Sequence, residues 1–176
     1  MRGYIYEVTS NIDMFGLFSL TESDLYDECG ALSVDYVLDV EKEQMVELRD
    51  SLLSFFAKLG ANVTKVSAEG TAADETESET DGDAEMIDCV EFSDDFKRNY
   101  FRKSFESARK LINEMDLDVF AGINYKSNML YNLISSISDN YGDMVYFNAS
   151  CYTMDDFIRS VEPGKKYFFG NIVLLH

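Results

Sequence analysis

The chain has 176 residues, 46% hydrophobic and 14% aromatic, with a formal charge of −18. That length and apolar content suit one folded domain with a sizeable core and exclude an intrinsically disordered chain. The charge disfavours direct nucleic-acid binding and favours basic surfaces. The opening Gly3-Tyr4-Ile5-Tyr6-Glu7 is followed by no long apolar run, so neither a leader nor a membrane segment is expected and the predicted location is the cytoplasm.

Charge is unevenly placed: residues 67–88 hold nine acidic and no basic side chains, residues 1–66 are also acidic, and residues 89–176 are nearly balanced. The segment Ser67 to Glu85 contains no large apolar residue, so little offsets the entropy of ordering it. It predicts a flexible acidic loop over 67–87, separating an acidic α+β half (1–66) from a second α+β half (88–176), the two sharing one core.

In chain order, Tyr4, Tyr6 and Val8 alternate as a first strand. Residues 11–30 give a turn at Phe15-Gly16 and a short helix starting at Thr21 or Ser23. Leu32, Val34, Tyr36, Leu38 and Val40 alternate most cleanly, making Ala31 to Val40 the strongest strand signal. A helix over about 41–59 follows, with an apolar stripe of Met45, Leu48, Leu52, Phe55, Phe56 and Leu59 and Gly60 as its C-terminal cap. Ala61 to Val66 and Asp88 to Phe92 read as strands.

Ser93 is placed as N-cap of a long helix with Asp94 and Asp95 in its first turn. The stripe Phe101, Phe105, Ala108, Ile112 and Met115 steps by four and three and is expected to face the core. Asp118 to Ile123 reads as a strand, 126–137 as a helix and Met144 to Ala149 as a strand. Thr153 with Asp156 resembles a capping box opening a short helix that stops before Pro163, and Lys166 to Leu175 is the last strand. The expected class is α+β, a mixed or antiparallel sheet packed with three or four helices. The pattern DDFxR at Asp94 to Arg98 and Asp155 to Arg159 raises internal duplication, though helix starts converge on the same residues.

Catalytic patterns are scarce. The only histidine is the last residue, His176, so imidazole-based triads cannot be assembled in the usual way. No phosphate loop, nucleophile elbow or HExxH occurs. Cys29, Cys89 and Cys151 lack zinc-ligand spacing and read as reduced, partly buried thiols. Asp95-Phe96-Lys97 has a D-x-K spacing found in nucleases, yet sits where aspartate serves a helix start. Asp81, Asp83 and Glu85 lack the glycine and distal glutamate of a calcium loop. No enzyme, cofactor or metal is expected. The loop also holds Thr71, Thr76, Ser78 and Thr80, where phosphorylation would add charge and suit a regulatory adaptor.

Charged helix faces carry the functional expectation. Glu43, Glu47 and Asp50 fall at i, i+4 and i+7 on the first long helix, and Asp24, Asp27 and Glu28 form a second acidic cluster; these six are the expected partner-binding residues. Arg98, Arg102, Lys103, Arg109 and Lys110 form a basic docking face on the second long helix, suited to an acidic region of the same chain or of another subunit. Both faces also fit the plain reading of solvated helix surfaces.

At the level of a class, and through no shared motif, the chain resembles the small acidic anti-restriction and anti-CRISPR proteins of phages and plasmids. The expected function is therefore a DNA-mimic-like inhibitor of a basic nuclease, restriction or CRISPR effector surface. An immunity or antitoxin protein against a basic toxin has the same electrostatics, and room remains for a homodimer.

Overall fold

The computed structural model describes residues 3–14, 37–67, 86–122 and 142–175, with single positions 20, 25, 125, 128 and 129. Among the described residues, seven strands form one mixed sheet: β1 (Gly3–Thr9), β2 (Val37–Asp39), β3 (Asn62–Ser67), β4 (Met86–Glu91), β5 (Met144–Phe147), β6 (Ser150–Thr153) and β7 (Lys166–Leu175). Among the described residues, four α-helices with both ends described accompany it: α1 (Lys42–Lys58), α2 (Phe96–Asn113), α3 (Leu117–Ala121) and α4 (Met154–Ser160). The class is α+β, as the periodicities predict.

The long strand β7 organises the sheet. β1 runs antiparallel along one edge, while β4 pairs with Lys166 to Phe169 and β2 with Val173 to Leu175 on the other. The order is β3-β4-β7-β1-β5-β6, with only the β1–β5 pair parallel. Strands from before and after the acidic segment are thus neighbours in one sheet. That segment's ends belong to the β3–β4 pair, where Ser67 faces Met86 and Val66 faces the buried Ile87; residues 68–85 lie outside the described part.

Between its two partners on that second edge, β7 carries a bulge. Tyr6 faces Ile172 and Val8 faces Phe169, leaving Gly170 and Asn171 opposite Glu7 alone. The Glu7 carboxylate accepts hydrogen bonds from the Asn171 and Leu20 backbone N–H groups through the same oxygen, each 3.2 Å. A side chain occupies the place of a missing ladder partner.

The helix-covered face holds the main core. Val8, Val90, Val145, Tyr167, Phe169 and Ile172 from the sheet meet Leu53 and Phe56 of α1, Phe96 of α2 and Phe157 and Ile158 of α4. Phe56 packs edge-on against Phe96 at 5.4 Å between centroids, and Phe92 lies 4.6 Å from Phe96, geometries that aromatic quadrupoles favour. Smaller clusters lie on the opposite face, around Ile5, Met144 and Val173 with Leu20 and Leu25, and around Ile87, Cys89 and Phe168.

α1 follows the predicted boundaries and ends as expected: Gly60 takes φ 99°, its N–H donates to Ala57, and the Ala61 N–H reaches back to Phe56. Within it, Leu53 is buried and Phe55 is half-exposed, resting edge-on at 6.2 Å from Tyr100; the expected stripe therefore loses Phe55 and gains Leu53. α4 keeps its predicted cap, with the Thr153 hydroxyl accepting from the Asp156 N–H at 3.1 Å.

Other expectations are corrected. Residues 117–121 form α3, capped by the Asp116 carboxylate, which accepts from the Val119 N–H at 2.8 Å; they are not a strand. The N-cap of α2 is Asp95 rather than Ser93, whose carbonyl accepts from the Phe96 N–H. Asp94 and Asp95 thus precede α2, whereas Asp155 and Asp156 lie inside α4, so the two DDFxR stretches occupy different helix positions. Of the Ala31 to Val40 strand, only Val37–Asp39 is described as strand, and the 126–137 helix lies mainly outside the described residues.

β5 continues through Asn148 and Ala149 into β6, a strand not expected from sequence. Both turn residues have positive φ, 52° and 56°, the backbone of a two-residue hairpin turn whose twist matches the strands. Alanine carries a steric penalty there of roughly 1–2 kcal/mol. Ala149→Gly is therefore expected to raise stability by about 1 kcal/mol, read by urea denaturation. Gly170→Ala should act oppositely, because its Cβ would lie 2.9 Å from the engaged Glu7 carboxylate. The expected loss is about 1–3 kcal/mol, and smaller in a Glu7→Ala background, where the collision is gone.

Candidate functional site

α1 has two faces of opposite character, and the separation depends on Arg49. This arginine sits between Glu47 and Asp50 in sequence, yet one residue turns the helix by about 100°, so it points to the sheet while they point outward. Its Nε lies 2.8 Å from an Asp88 carboxylate oxygen, a close ion pair without an aligned N–H···O bond, and its Nη1 donates to the Gly170 carbonyl at 3.4 Å. Asp88 is 3% exposed, on the helix-facing side of β4, with Lys65 of β3 approaching at 3.9 Å. The carbonyl offered by the bulge and the carboxylate of β4 together hold Arg49.

Glu43, Glu47 and Asp50 remain on the outer face, exposed, with Val46 exposed among them. No described cation forms an ion pair with any of the three. Like charges at these spacings cost a few tenths of a kcal/mol each. The other expected partner-binding residues, Asp24, Asp27 and Glu28, lie outside the described residues.

The basic face lies on α2. Arg98, Arg102, Lys103, Arg109 and Lys110 are placed along it, with Arg102, Lys103, Arg109 and Lys110 exposed and Arg98 exposed in the first turns; Arg102 donates to the Asn99 side chain at 3.2 Å and Lys110 is 4.0 Å from Glu114. Among the described residues, contacts at the beginning of α2 tie it to other strands and helices. Phe96 is its one buried residue. The Tyr100 hydroxyl donates to Asp155 at 3.0 Å, Lys97 donates to the Arg159 carbonyl at 2.7 Å, and the Arg159 guanidinium lies 4.6 Å over the Phe101 ring.

Past Phe101 the expected core stripe is not in the core. Phe105 is 64% and Ile112 57% exposed, and Leu117 and Phe120 of α3 are exposed further on. The heptad-like spacing is present, but no described strand or helix buries it. Spacing is legible in the sequence; the surroundings of the stripe are not.

The described groups with displaced pKa values move away from neutrality. Burial pushes the Tyr6 phenol up, helped by Asp143 and Tyr4; burial likewise raises Tyr100, helped by Asp155. Burial also raises the Cys89 thiol. All three hold their protons at neutral pH, and Cys89 and Cys151 are free thiols. No group of three or more metal-ligating side chains occurs among the described residues, and none of their helices is long and apolar enough to cross a membrane.

Removing one member of the buried pair tests how α1 is held. Arg49→Met should destabilise by about 2–4 kcal/mol, because Asp88 keeps only the distant Lys65, whereas Arg49→Met with Asp88→Leu should return to within about 1–2 kcal/mol of the parent. Urea denaturation of both variants provides the comparison. Scans against protein-family models, curated proteins and solved structures return no match to this chain.

Proposed function

We propose that the protein is a non-catalytic, DNA-mimic-like inhibitor that works in the cytoplasm. It would dock the acidic face of α1 on the basic, nucleic-acid-handling surface of a host or defence protein, in the manner of anti-restriction or anti-CRISPR proteins. The observation that carries this reading is the exposed line Glu43, Glu47 and Asp50, which has no ion-pair partner among the described residues, on a helix whose central cation is turned inward to Asp88.

Geometry supports the reading. Seven residues of helix separate Glu43 from Asp50, about 10 Å of axial rise, over which one strand of duplex DNA presents about three phosphates. Because α1 is anchored through Leu53, Phe56 and Arg49, its carboxylates keep their spacing when a partner approaches. Preorganised charge of this kind accelerates association and selects basic partners.

The experiment is inhibition of DNA cleavage by basic restriction and RNA-guided nucleases, measured across a salt series. The parent is expected to inhibit, with inhibition weakening as salt rises. Glu43→Lys with Glu47→Lys and Asp50→Lys should abolish inhibition while shifting stability by less than about 0.5 kcal/mol, since the sites are exposed. A triple variant that inhibits as well as the parent removes the α1 face from consideration.

A further inference from the structure

α1 and α2 carry the same exposed pattern with opposite sign. On α1, Glu43, Val46 and Asp50 are exposed at i, i+3 and i+7; on α2, Arg102, Phe105 and Arg109 are exposed at the same intervals. Each triplet is a charge, an apolar side chain and a second like charge, spread over about 10 Å of helix. α2 is basic in both halves: from Phe96 to Asn113 six cations accompany one carboxylate, Glu106.

The two lines do not meet within one chain. Among the described residues no carboxylate forms an ion pair with Arg102 or Arg109, and no cation with Glu43 or Asp50. Glu43 and Asp50 stand about 120–140° around α1 from Phe56, and Arg102 and Arg109 stand as far around α2 from Phe96. Phe56 and Phe96 are buried in the main core, so both charged lines point away from it. The helices are also neighbours on one face of the sheet, with Phe55 resting 6.2 Å from Tyr100 and the Asn99 side chain donating to the Leu59 carbonyl at 3.0 Å. Adjacent lines that both point outward cannot pair with each other, but a second copy turned over onto this face pairs both.

We propose that the protein forms a homodimer in which α1 of each copy lies on α2 of the other. A two-fold axis running between the helices sets the acidic line over the basic line of the second copy and repeats the contact on the other side, so the interface is closed. Glu43 and Asp50 then meet Arg102 and Arg109 of the second copy, and Val46 and Phe105 cover each other. Laying α1 on α1, or α2 on α2, sets like charges together. The dimer covers the acidic face of α1, so self-association competes with a basic partner for it. That last consequence rests on the inhibitor reading; the dimer itself does not.

Sedimentation equilibrium of the full chain, from micromolar to near-millimolar concentration, tests this at physiological ionic strength, where charges more than about 8 Å apart are screened. A monomer–dimer equilibrium is expected. One variant carries Glu43→Lys with Asp50→Lys, a second Arg102→Glu with Arg109→Glu. Each alone should dissociate at least about tenfold more readily, since like charges then oppose at both contacts. An equimolar mixture should regain the parent's affinity, because one contact is native and the other has its charges exchanged. Circular dichroism verifies folding, and the corresponding double substitutions to Gln, which weaken the dimer in the same direction, replace a variant that is not folded. A parent that stays monomeric, variants that associate as the parent does, or a mixture no tighter than its components overturns the proposal. The Arg102→Glu, Arg109→Glu monomer keeps α1 intact and should inhibit a basic nuclease at least as well as the parent; failure there rejects the inhibitor reading and leaves the dimer standing.

Discussion

The Arg49–Asp88 contact decides what α1 shows to solvent. Burying a carboxylate on the helix-facing side of a central strand is costly unless a cation meets it, and the helix supplies the only guanidinium in its length for this purpose. The same requirement explains the neighbouring bulge. Gly170 and Asn171 step out of the β1–β7 ladder, so that one carbonyl turns to Arg49 and one N–H to Glu7. With arginine committed inward, the outer face of α1 is left acidic from Glu43 to Asp50. Core electrostatics and surface electrostatics are two consequences of one side chain's direction.

A different balance governs α2. Its first turns are fixed by Phe96 in the core and by the Tyr100, Lys97 and Phe101 contacts to α4. The remaining turns carry a regular apolar stripe that no described strand or helix covers, beside a dense basic face. In proteins most helical stability comes from packing of an apolar face rather than from intrinsic propensity, and past Phe101 the described part of the fold supplies little of it to α2. The two long helices thus present opposite charge: α1 a fixed acidic surface, α2 a basic one with an apolar seam.

Much of the architecture is legible in the sequence where local rules act alone. β1 follows from period-two alternation, β3, β4, β5 and β7 are read as strands close to their observed bounds, the end of α1 follows from Gly60, and the start of α4 from Thr153 and Asp156. The failures have definite causes. Asp118 to Ile123 has a short apolar run that periodicity cannot assign, and the Asp116 cap decides it for helix. β6 is short, half polar, and entered by an Asn-Ala turn in place of the usual glycine pair. The α2 stripe has the correct period, but period reports that a face is apolar and not what covers it. Of the candidate site, Glu43, Glu47 and Asp50 are visible as a line. Asp88 cannot be seen as buried, nor Arg49 as its partner, because their pairing joins a helix and a strand through the third dimension.

The central claim is that the outer face of α1 is a shaped acidic surface made for a basic partner. Val46 lies exposed beside the three carboxylates and Leu53, two turns further along the same helix, lies buried in the main core, so their methyl groups are internal reporter and control. In a methyl NMR titration with a basic nuclease that the protein inhibits, the account predicts large shifts for Val46 and little change for Leu53. Unmoved Val46 resonances at saturating nuclease, with shifts confined to other parts of the molecule, would contradict it.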